Sequence, residues 1–141
     1  GENIHSPLIP YKKADVIIGF EPAEAVRCLP YLKESGCVIV CPKAIQPVTS
    51  SLMGGSYKGE EMLEYLKKNV KKLVVVNGDE ICEKCGSSKV LNVALLCAAV
   101  SSGETGISLE EMESAITKRV PEKFKQMNIT ALRLGAQEAE K

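Results

Sequence analysis

Cys82-Glu83-Lys84-Cys85 places two thiols three residues apart, a spacing shared by zinc sites, iron–sulfur sites and redox dithiols. A closed zinc site takes four ligands, yet His5 is the sole histidine and there is no second C-x-x-C. A cluster site asks for about four cysteines in a compact run, and that run is also missing. The pair therefore reads first as structural thiols, with Cys82 and Cys85 kept as candidates for an intersubunit metal site or a redox couple. His5, in Asn3-Ile4-His5-Ser6-Pro7, belongs to a loop by its Ser-Pro. Imidazole titrates near neutral pH and suits a general base, but the sequence sets no acid or nucleophile beside it, so no catalytic residue is assigned. Gly19-Phe20-Glu21-Pro22 falls where a strand hands over to a helix, the edge at which open α/β sheets bind ligands. Neither G-x-G-x-x-G nor a P-loop occurs, which leaves phosphate cradling within this chain without support.

The elements that must hold these residues show in the apolar pattern. Residues 14–20, 37–41 and 73–76 are nearly continuous aliphatic runs, as expected of strands covered on both faces. Between them, residues 22–34 carry Pro22 at a first turn, then Ala25, Leu29 and Leu32 at helical spacing, with Gly36 as the expected stop. Residues 60–70 put Met62, Leu63, Leu66 and Val70 on one face, with acids early and lysines late. This alternation predicts right-handed crossovers and a parallel sheet. Residues 90–100 are apolar all round, which points to a buried helix or a subunit interface. Ser108-Leu109-Glu110-Glu111 is a capping-box signature ahead of a helix reaching about Arg119. Pro121 opens a last helix expected to stop at Gly135, with a tail that frays. Residues 42–59 form the one long irregular stretch, and Gly54-Gly55 marks its tip as a flexible connector.

Composition narrows the function classes. Eighteen basic residues balance eighteen acidic ones, so nothing draws the chain to nucleic acid or to a membrane surface. Aromatics are 4% with no Trp, which leaves few platforms for base stacking. No run reaches the roughly 18 apolar residues of a membrane span, and the start lacks the basic and apolar regions of a signal peptide. Cysteines buried in apolar runs suit a reducing compartment. The expectation is one cytoplasmic domain over residues 1–141, beginning late in its domain.

Ile4-His5-Ser6-Pro7-Leu8-Ile9-Pro10, Ala14-Asp15-Val16-Ile17-Ile18-Gly19-Phe20-Glu21-Pro22-Ala23-Glu24-Ala25, Leu91-Asn92-Val93-Ala94-Leu95-Leu96 and Val120-Pro121-Glu122-Lys123-Phe124, with Asn128 and Gly135, lie in order along the chain. Together they resemble the gamma-type domain of 2-oxoacid:ferredoxin oxidoreductases, nearest the indolepyruvate type. The resemblance implies a Rossmann-like three-layer α/β sandwich with a mostly parallel sheet, here without the family's N-terminal strand and glycine-rich loop. It also implies an accessory subunit that binds no cofactor of its own. Thiamine diphosphate and iron–sulfur clusters would sit on a larger partner subunit, coenzyme A would take the acyl group, and ferredoxin would take the electrons. Position and resemblance together nominate His5, Ser6, Glu21 and Asn92 as substrate-side, coenzyme A-side or partner contacts. A missing strand would expose a sheet edge and favour a homo-oligomer or dependence on the partner. The rival expectation is a non-catalytic ligand-binding or scaffold module.

Overall fold

The computed structural model describes residues 6–42 and 59–140. Strands β1 (Ala14–Gly19), β2 (Leu32–Val40) and β3 (Lys72–Val75) form a parallel sheet in the order β1-β2-β3. Ile17 pairs with Val38 and Ile18 with Ile39, while Val38 pairs with Leu73 and Val40 with Val75. The central strand is sealed on both sides, with Cys37, Val38, Ile39 and Val40 all at 0% exposure. Because side chains alternate along a strand, each face of β2 meets its own layer. Val38 and Val40 join Ile17, Ala25, Leu66 and Val70 under helices α1 (Pro22–Cys28) and α2 (Gly59–Asn69). Cys37, Ile39 and Cys41 join Val74, Val76, Ile81, Ala94, Leu95, Ala98 and Ala131 on the other side. The helices of that second layer are α3 (Gly78–Cys85), α4 (Leu91–Ser101) and α6 (Glu122–Glu138), with α5 (Leu109–Arg119) outside them. The result is the expected helix–sheet–helix sandwich.

Three boundaries differ from the sequence reading, each for a local reason. The helix expected over residues 22–34 ends at Cys28, Leu29–Tyr31 is a single 3-10 turn, and Leu32 already begins β2. Pro30 cannot donate to a carbonyl one turn back and its ring crowds that turn; its own carbonyl instead accepts the Lys12 N–H at 3.0 Å. Gly36 is accordingly not a helix stop. It lies in a bulge where pairing jumps from Ala14–Leu32 to Val16–Cys37, and a Cβ there would sit 2.5 Å from Leu32 Cδ1 and 3.1 Å from the Asp15 carbonyl oxygen. Helix α3 was not anticipated although its signals are present. The Asn77 side chain accepts the Glu80 N–H at 3.3 Å, Asp79 and Glu80 fill the first turn, and Gly86 closes the helix at φ 72°. Only eight residues long, it offers too few turns to show a periodicity. Finally, Gly135 does not end α6, which continues to Glu138. Its missing side chain lets α6 press against α4, since a Cβ would lie 2.2 Å from the Ala94 carbonyl oxygen. That packing explains most of the apolar character of α4: Ala94, Leu95, Cys97, Ala98 and Ala99 are wholly enclosed between the sheet, α5 and α6, while Asn92 and Leu96 face outward. The capping box is as expected, with the Glu111 N–H donating to Ser108 Oγ at 3.1 Å and the Ser108 N–H donating to Glu111 Oε2 at 2.9 Å. The Gly54-Gly55 tip lies outside the described residues.

Candidate functional site

The carboxyl ends of the three strands converge on one cleft. In-register parallel pairing brings the segment after β1 beside the segments after β2 and β3: the Cys41 N–H donates to the Gly19 carbonyl at 3.2 Å and the Val76 N–H to the Val40 carbonyl at 2.8 Å. Phe20, Cys41, Pro42, Asn77, Gly78 and Asp79 then meet Leu91, from the start of α4, around a cavity of about 230 Å³. Gly78 lets the floor close, because a Cβ there would come within 2.5 Å of Leu91 Cδ1 and 3.0 Å of Cys41 Sγ. Phe20 stands at the rim, 47% exposed. Burial pushes the Cys41 thiol up to about 11, against the opposing pull of its hydrogen bond with the Gly78 backbone. The lining is therefore mainly apolar with a protonated thiol, and Asp79 is the one charged side chain in it among the described residues. Such a surface can bind and orient an apolar group, and its thiol, raised by burial, is held in the protonated form.

Phe20 also borders a second hollow of about 200 Å³ beside β1, with Ile18, Glu21, Glu24 and Cys28. A larger groove of about 440 Å³ lies between α1 and α2 near the amino end of β3, but its rim charges are matched, Glu34 to Lys71 at 2.9 Å and Lys33 to Asp15. Parallel sheets present ligand sites at the opposite, carboxyl edge, so the strand-end cleft is the better candidate despite its smaller volume.

The nominated residues are dispersed relative to this cleft. His5 lies outside the described residues. Ser6 is exposed, its hydroxyl accepting the Leu8 N–H at 3.1 Å. Glu21 is the N-cap position of α1, without a side-chain cap bond, and borders the second hollow. Asn92 is exposed on α4, its side-chain oxygen accepting the Val93 N–H at 2.9 Å. What the structure brings together is instead their neighbours: Phe20, within the Gly19-Phe20-Glu21-Pro22 strand end that the sequence places at the ligand-binding edge, and Leu91, to which the sequence gives no such role. Leu91 is apolar, and an apolar side chain at a ligand edge carries no signature in sequence.

Cys82 and Cys85 sit one turn apart on the half-buried flank of α3. Burial raises both thiols, and for Cys82 the proximity of Cys85 and Asp79 adds to the rise. Reactive or metal-binding pairs show the reverse, a thiolate favoured by positive surroundings. Among the described residues no three Cys, His, Asp or Glu side chains are grouped to hold a metal. The donors at hand among the described residues thus do not fit an iron–sulfur cluster.

A parallel sheet sheathed by helices, with a cleft at its strand ends, defines the class of the fold as a layered α/β domain. The chain belongs to the pyruvate ferredoxin/flavodoxin oxidoreductase family, whose model matches residues 1–138. It is similar to the indolepyruvate oxidoreductase subunit IorB of Archaeoglobus fulgidus, at 31% identity over 97% of this chain and 69% of that protein. The subunit of the same name from Thermococcus kodakarensis is 31% identical over 99% of this chain and 70% of its own length. Among solved structures, the gamma subunit of a keto/oxoacid ferredoxin oxidoreductase from Geobacter sulfurreducens matches with a TM-score of 0.63 and 25% identity, over 90% of this chain and 64% of that one. No helix among the described residues is long and apolar enough to cross a membrane.

Proposed function

We propose that this chain is the accessory subunit of a thiamine diphosphate-dependent 2-oxoacid:ferredoxin oxidoreductase that converts indolepyruvate or a related aryl 2-oxoacid, with coenzyme A, to the acyl-coenzyme A and carbon dioxide while reducing ferredoxin. The observation that carries the reading is the family match over nearly the entire chain, joined by two indolepyruvate subunits at 31% identity. In this reading thiamine diphosphate and the clusters belong to a larger partner, and this chain works in the cytoplasm as one folded domain that supplies a wall of the assembly. Its own residues bind and exclude water rather than move protons. His5, Ser6, Glu21 and Asn92 are the proposed substrate-side, coenzyme A-side or partner contacts.

The test is anaerobic reconstitution with the candidate partner, following indolepyruvate- and coenzyme A-dependent ferredoxin reduction. Activity requiring both proteins is the expected result. A competent partner that neither binds this chain nor needs it for turnover refutes the reading, and a ligand-binding module built on the strand-end cleft takes its place. Alanine at His5, Ser6, Glu21 or Asn92 is expected to lower coenzyme A-dependent turnover of the complex, and wild-type turnover in all four would remove the contact assignment alone.

A further inference from the structure

We infer that the strand-end cleft receives the aromatic side chain of the 2-oxoacid, with Phe20 and Leu91 setting which side chains fit. This rests on the accessory-subunit reading and assigns to this chain a specificity role within it. The cavity of about 230 Å³ lies below the range of roughly 300–1,000 Å³ that takes whole drug-sized ligands. It suits a one- or two-ring group whose polar remainder projects outward. Its floor is Leu91 and Cys41 drawn together over Gly78, with the thiol held neutral. Its rim is a half-exposed phenyl ring, a side chain that pairs with a second aromatic ring in offset or edge-on arrangement. Among the described residues Asp79 is the only charged side chain in the lining, so a carboxylate or phosphate is disfavoured beside it and an apolar ring is not. The relatives named for indolepyruvate act on a substrate with such a ring at one end and the oxoacid at the other.

The reconstituted complex decides it through Leu91→Phe, which fills the cavity, and Gly78→Ala, whose methyl would push Leu91 into it. Both are expected to raise KM for indolepyruvate by about 10-fold, the scale on which an apolar pocket discriminates by shape, while KM for coenzyme A and binding of the partner stay at wild-type values. The inhibition constant of indole-3-propionate, which has the ring but no keto group, should rise in parallel. Phe20→Leu guards against misfolding, since it exchanges one exposed apolar side chain for another and should produce the same selective rise. Unchanged KM for indolepyruvate overturns the inference and leaves the accessory-subunit reading standing. A rise confined to coenzyme A overturns it too, and puts the adenine ring in the cleft instead. An inactive wild-type complex brings down both.

Discussion

At the scale of single residues, the six cysteines divide by environment. Cys28 is exposed, Cys82 and Cys85 are half-buried, and Cys37, Cys41 and Cys97 are buried. A thiol reagent on the native protein should therefore modify Cys28 first and Cys82 and Cys85 slowly, while the three buried thiols react only after unfolding. Mapping the labelled peptides by mass checks the order, and fast labelling of Cys97 would contradict the packing. The buried thiols also predict a pH dependence. Burial raises Cys41 to about 11 and Cys97 to about 12 from the ordinary 9.0. A group raised on folding favours the folded state in its protonated form, so its contribution is complete below about pH 9 and is lost as pH climbs through 11 and 12. Urea midpoints should fall from pH 9 upward, and Cys97→Ala should flatten that fall while lowering stability at pH 8 by about 1 kcal/mol for the small void left behind. An alkaline slope identical in wild type and variant would show that Cys97 is not the titrating group.

At the scale of elements, two glycines do opposite things. Gly135→Ala forces a methyl against the Ala94 backbone at the crossing of α4 and α6, where neither partner is a flexible side chain, and should cost at least about 1–3 kcal/mol. Gly86→Ala meets open space but must hold φ at 72°, a left-handed conformation that costs an L-residue about 1–2 kcal/mol. Ser108→Ala removes the capping box of α5 and should cost about 1 kcal/mol. Denaturant unfolding ranks the three, and a Gly135→Ala protein as stable as wild type would mean that the two helices do not cross so closely. These elements also show what local sequence reveals. Ser108 with Glu111, and Asn77 with Glu80 and Gly86, are complete capping signals. Gly36 and Gly135, by contrast, look like helix stops in sequence and act as close-approach points, because the neighbour that needs the space is distant along the chain.

At the scale of the whole molecule, β1 pairs only with β2 among the described residues, and Ile18 on it is 38% exposed. An edge strand with unpaired backbone groups and little charge invites another chain. Ile18→Lys should reduce concentration-dependent association of the isolated chain in sedimentation experiments, or weaken capture by the partner. A monomeric wild type whose Ile18→Lys variant assembles normally would mean that this edge is not used. By itself the sequence determined the layered α/β architecture, because unbroken aliphatic runs separated by amphipathic helices can be buried only in a sheet covered on both faces. It also carried the family resemblance in segments spread over the chain. The strand end at Gly19-Phe20-Glu21-Pro22 was legible as a ligand edge, but which residues close a cleft there follows from the tertiary structure. Parallel register sets Phe20, Cys41 and Gly78 side by side from three separate strand ends, and the packing of α4 beneath α6 delivers Leu91 to them. Those residues are apolar and far apart in the chain, so neither their chemistry nor their spacing announces the cleft they form.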